Sequence, residues 1–119
     1  MNDSEKSALF LVLRALERIE AISEVSQMKA AVLPELSGFL ERAWQSLIHP
    51  ERLKTVAKAL YRKISSTALD EQDAGNEGMM FNYYLYAVAD LAMFYAEGDP
   101  GYLDGSLTFR VEYFRRVGK

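Results

Sequence analysis

A chain of 119 residues, half of them hydrophobic and with no cysteine, can bury one core unaided, and it excludes disulfides, thiolate metal sites and cysteine nucleophiles. The formal charge of -3 and a pI near 5.2 work against nucleic acid as a partner of the whole molecule and favour a basic one. Lack of cysteine fits a reducing cytoplasm. Lys6 is surrounded by acids and no small-residue cleavage site follows the apolar stretch after it, so the N-terminus does not read as a signal peptide.

The first helix is predicted to begin near Asp3 or Ser4, either able to cap its free amides. Leu9, Val12, Leu13, Leu16 and Ile19 then recur at three and four, with Arg14, Glu17, Arg18 and Glu24 opposite; the pattern fades near Val25 and Ser26. A short helical turn is expected over residues 27–32. Pro34 would cost about 3 kcal/mol in a helix interior and so starts a second long helix, whose inner face is Leu36, Phe39, Leu40, Ala43, Trp44 and Leu47. Gly38 within it predicts a close helix crossing.

Pro50 suits the first position of a third helix. Its inner stripe is Leu53, Val56, Ala57, Leu60 and Ile64, weakened at its end by Ser65, Ser66 and Thr67. Residues 70–78, DEQDAGNEG, read as a loop by composition. The fourth helix is residues 79–96, MMFNYYLYAVADLAMFYA, apolar almost all round and therefore buried by its neighbours. Only Asn82 and Asp90 interrupt it, so it does not read as a bilayer span. Glu97 to Gly101, EGDPG, is a strong stop. From Ser106 the tail fits either a helix (Leu107, Val111, Phe114) or a strand (Leu107, Phe109, Val111, Tyr113). No other segment reads as a strand that could pair with it, and helix is favoured. The predicted architecture is all-α: a single-domain bundle of about five helices around a buried fourth.

The sharpest constellation is Asn82, Tyr86 and Asp90, spaced four apart on one stripe of that buried helix. A carboxylate there needs a partner. It is read as a structural pair with Arg14, Arg18 or Arg42; the alternative is a polar ligand or catalytic pocket with a raised carboxyl pKa. His49 is the only histidine, so a histidine metal cluster is impossible, and it reads as a connector residue. Asp70, Glu71, Asp73, Asn76 and Glu77 offer oxygens to a hard cation but lack EF-hand spacing; they read as a solvated loop, or as a surface for a basic protein. Five bases between residues 49 and 63 (Arg52, Lys54, Lys58, Arg62 and Lys63) give the third helix a basic face. The alternative function they carry is nucleic-acid binding by a small regulatory protein. Seven tyrosines favour some surface anchors, Tyr102 and Tyr113 being the candidates.

Small size, no cysteine, acidic balance, helical pattern and no catalytic set together resemble bacterial immunity proteins, which neutralise contact-dependent or secreted toxins. The resemblance is one of type, across the whole chain and without a diagnostic motif. It implies a cytoplasmic, non-enzymatic binder without cofactor or metal, whose partner is a basic toxin such as a nuclease. In this chain the residues that would occupy the toxin's nucleic-acid surface are Asp70, Glu71, Asp73 and Glu77, with Glu97, Asp99 and Asp104 around the second turn and Tyr102 as anchor. The two acidic segments flank the fourth helix and need not form one patch.

Overall fold

The computed structural model describes residues 2–21, 35–48, 53–67 and 71–106. Among them lie five helices and no strand: α1 (Asp3–Glu20), α2 (Glu35–Gln45), α3 (Lys54–Thr67), α4 (Glu71–Glu97) and α5 (Gly101–Gly105). The chain is an all-α bundle, and α4 is its centre, packing most broadly on α3 and also on α5 and α1. At 1.5 Å per residue α4 is about 40 Å long, and it accounts for the 40 Å long dimension of the molecule.

The cap of α1 is Asn2, not Asp3 or Ser4: its side-chain oxygen accepts the Glu5 N–H at 2.8 Å. Asp3 and Glu5 thereby fall in the first turn, where acids complement the positive end of the helix. Leu9, Val12, Leu13, Leu16 and Ile19 are all buried, as their spacing predicts. The helix closes at Glu20, short of Val25, because the Ala21 N–H turns back to the Arg18 and Ile19 carbonyls and tightens the last turn. The turn expected at residues 27–32 and Pro34 lie outside the described residues.

In α2 Leu36, Phe39, Leu40 and Ala43 are buried, and Trp44 and Leu47 pack half-buried against the core. Gly38 makes no crossing. It is exposed, and a Cβ built on it would meet nothing within 4 Å. Helix α3 starts at Lys54, not at Pro50, which with His49 lies outside the described residues. Leu53 precedes it with a buried side chain and a carbonyl that accepts the Ala57 N–H at 2.7 Å. Ala57, Leu60 and Ile64 continue the inner stripe, but Val56 is 38% exposed. The helix ends at Thr67, just past Ser65 and Ser66, whose hydroxyls bond back to the Tyr61 and Lys63 carbonyls at 3.0 Å each, a contact that weakens a helix.

The predicted acidic loop is helical instead: α4 begins at Glu71, eight residues before the apolar segment. Two glycines and an asparagine argued for a break. Once the apolar segment is helical, however, each added turn needs no new nucleation, and acids suit the N-terminal end. No residue from 81 to 96 is exposed. The helix stops at Gly98, whose φ of 73° is the left-handed conformation glycine tolerates, with its N–H on the Phe94 carbonyl at 2.8 Å. Helix α5 falls where a glycine-rich turn was expected. Asp99 Oδ1 accepts the Gly101 N–H at 2.9 Å, Leu103 is fully buried, and the Ser106 hydroxyl donates to the Ala87 carbonyl at 3.4 Å. The tail from Leu107, Tyr113 included, lies outside the described residues.

Polar ties cross the core as well. The Tyr84 hydroxyl donates to Glu20 Oε1 at 2.6 Å, joining α4 to the end of α1. The Ser46 hydroxyl lies 2.7 Å from the Ala43 carbonyl and shares a 2.7 Å hydrogen bond with the Tyr95 hydroxyl. The ring of Phe39 stands edge-on to Tyr95 beside this tie, centroids 5.9 Å apart.

Candidate interaction surfaces

The buried polar stripe is largely where its spacing placed it. Asn82 is fully buried, whereas Tyr86 and Asp90 lie half-buried, on the arc of α4 shared with Tyr83, Ala89 and Met93. That arc is the least covered side of the segment, which lets a carboxylate sit on an otherwise apolar helix. Each of the three makes a polar or ring interaction, and among the described residues no buried side-chain nitrogen or oxygen lacks a hydrogen-bond partner. Arg14 and Arg18, two of the proposed partners, are exposed on α1.

The acidic residues fall at two ends of one helix. Glu71, Asp73 and Glu77 belong to the first two turns of α4, and Asp70 lies just outside the described residues. Glu97 is the last residue of the same helix. Glu77 and Glu97 are about 30 Å apart along it at the rise of an α-helix. One compact patch therefore does not contain both groups. At the C-terminal end Glu97, Asp99 and Asp104 are all exposed around the Gly98 turn and α5, and Tyr102 is half-buried against the core with an edge at the surface. The corner is held from below by Leu103 and Ser106. Asp99 has a structural task in it, the cap on Gly101.

Charge is segregated along the chain. From residue 64 to residue 109 there is no lysine, arginine or histidine, yet eight acids: Asp70, Glu71, Asp73, Glu77, Asp90, Glu97, Asp99 and Asp104. Helix α3 is the reverse, with four bases and no acid. Lys54, Lys58, Arg62 and Lys63 are all exposed; Arg52 lies outside the described residues.

Compared with known proteins, the chain matches no family model, no curated protein and no solved structure. The surfaces themselves are what bear on function.

One of them was missed in the sequence. Phe10 is 46% exposed, Leu11 55% and Ile48 76%. With Leu47, Lys6 and Ser7, Phe10 and Leu11 line a shallow open groove of about 440 Å³ between α1 and the end of α2. Phe10 stands edge-on to Trp44, centroids 5.8 Å apart, which fixes one wall. The signal was the unbroken apolar run from Ala8 to Leu13: six residues cover more than one and a half turns, so some must face outward. Clustered exposed apolar side chains of this kind mark contact surfaces. No helix among the described residues is long and apolar enough to cross a membrane.

Proposed function

We propose that this chain is a non-catalytic, cytoplasmic binding protein of the bacterial immunity type, which neutralises a cognate basic toxin by covering its active site. The observation that carries the reading is the exposed acidic corner of Glu97, Asp99 and Asp104, set in a 46-residue stretch without a base. A toxin surface built to hold nucleic-acid phosphates is cationic, and such a corner complements it, steering encounter and fixing register. Tyr102 adds an aromatic edge beside the acids, the residue type that anchors interfaces. Covering needs only a rigid support, and the fully buried Leu103 with the Ser106 tie supplies one. Because the corner lies about 30 Å from the acids at the start of α4, it acts as the contact by itself. The exposed Phe10, Leu11 and Ile48 support the same class of function, a protein that works by contact.

The test is co-expression with the product of the adjacent gene. Cells expressing the natural chain survive that product and the two proteins co-purify. A doubly substituted Glu97→Lys, Asp104→Lys chain folds, shown by an unchanged helical spectrum, but neither protects nor co-purifies. Equal protection by the substituted chain would refute the acidic corner as the contact.

A further inference from the structure

Helix α3 carries an exposed cationic ridge, with no acid in the helix itself and an aromatic beside it. Lys54, Lys58 and Arg62 follow one another at i, i+4 and i+8, so they line up on the outer face, and all three are exposed. Among the described residues none of the three makes an ion pair or a side-chain hydrogen bond. Like charges four apart on a helix are destabilising, and α3 holds two such pairs with no acid of its own to relieve them. A surface kept against its own stability calls for an anion from outside. Tyr61 lies alongside Lys58 and Arg62 and is 39% exposed. The opposite face of α3 is sealed in the core by Ala57, Leu60 and Ile64, so the helix cannot lay an apolar side into a bilayer.

We propose that the ridge Lys54, Lys58 and Arg62 with Tyr61 binds single-stranded nucleic acid, three phosphates on the cations and one unpaired base on the tyrosine ring. The overall negative charge does not by itself oppose this, because salt screens charges beyond about 8 Å and α3 contributes no acid over the 12 Å run of the ridge. The exposed aromatic selects the strand type: a duplex keeps its bases stacked, while a single strand offers their faces. The site is separate from the acidic corner and does not rest on the reading given above.

The experiment is fluorescence anisotropy with a short labelled oligothymidylate, a duplex of the same length and anionic phosphatidylserine vesicles, each over a series of salt concentrations. The single strand binds, with a log–log salt slope of about 2 for three phosphates, and more tightly than the duplex or the vesicles. Tyr61→Ala weakens binding about tenfold and leaves the salt slope unchanged. Replacing Lys54, Lys58 and Arg62 together by Gln removes binding while raising the thermal midpoint, since the repulsion is gone. If that triple variant fails to fold, Lys58→Gln alone lowers the slope by about a third. No binding at low salt, equal binding of duplex or vesicles, or an unaffected Tyr61→Ala variant overturns the proposal.

Discussion

Replacing Tyr84 by Phe removes a single oxygen from the core and tests how the end of α1 is joined to the middle of α4. The ring is fully buried and its hydroxyl donates to Glu20 Oε1 at 2.6 Å. Burial first, and the Glu20 carboxylate second, hold the phenol well above its ordinary value near 10. Below pH 10 both folded and unfolded chains keep the proton, and the contribution of the hydroxyl is whole. Above it the unfolded chain releases the proton and the folded chain holds it, so stability falls by about 1.4 kcal/mol per pH unit. At pH 8 the variant is less stable by about 1.5 kcal/mol, the loss of one hydrogen bond to a half-buried carboxylate. At pH 11 the natural chain has lost about 1.4 kcal/mol that the variant never had to lose, and the two converge to within a few tenths. Urea unfolding of both proteins at pH 8 and pH 11 measures this, the other tyrosines and the lysines cancelling in the difference. A gap that stays constant between the two pH values would show Tyr84 ionising as an exposed phenol does, and the tie would be refuted.

Two glycines respond in opposite directions. Gly38→Ala, exposed and with open space for a Cβ, stabilises the protein by about 0.5 to 1 kcal/mol, raising the thermal midpoint by a few degrees. Gly98→Ala destabilises it by about 1 kcal/mol, because φ of 73° is strained for any residue with a Cβ. Leu91→Ala in the middle of α4 costs about 2 to 5 kcal/mol in chemical unfolding, whereas Leu11→Asp on the open groove changes stability by less than about 0.5 kcal/mol.

How far the fold could be read from residues alone follows the strength of the periodic signal. The α1 stripe and the all-round burial of residues 81–96 rest on many apolar side chains at once, and they are where the spacing put them. Polar and glycine-rich segments depend on tertiary context instead. The segment DEQDAGNEG reads as a loop on propensity, yet it propagates from an apolar helix already nucleated. Val56 fits the inner stripe of α3 by count but lies at its edge, so a small difference in helix rotation exposes it. Gly38 illustrates the reverse, a residue given a packing reason where the surface imposes none. Of the candidate sites, the polar stripe and the acidic residues were visible as residue types. The position of the two acidic groups at opposite ends of the fourth helix was visible as well; that the first group belongs to that helix was not, because it depends on where α4 begins. The groove of Phe10 and Leu11 was hidden for a related reason: periodicity shows which side is apolar, and not how much of it the neighbours cover.

The most direct test of the central claim is titration calorimetry of the natural chain against the protein encoded beside it, repeated with Glu97→Lys, Asp104→Lys, which leaves the Asp99 cap in place. The expected result is one-to-one binding that weakens as salt rises and is lost in the substituted chain. Binding of equal strength in both chains, or none in either, would contradict it.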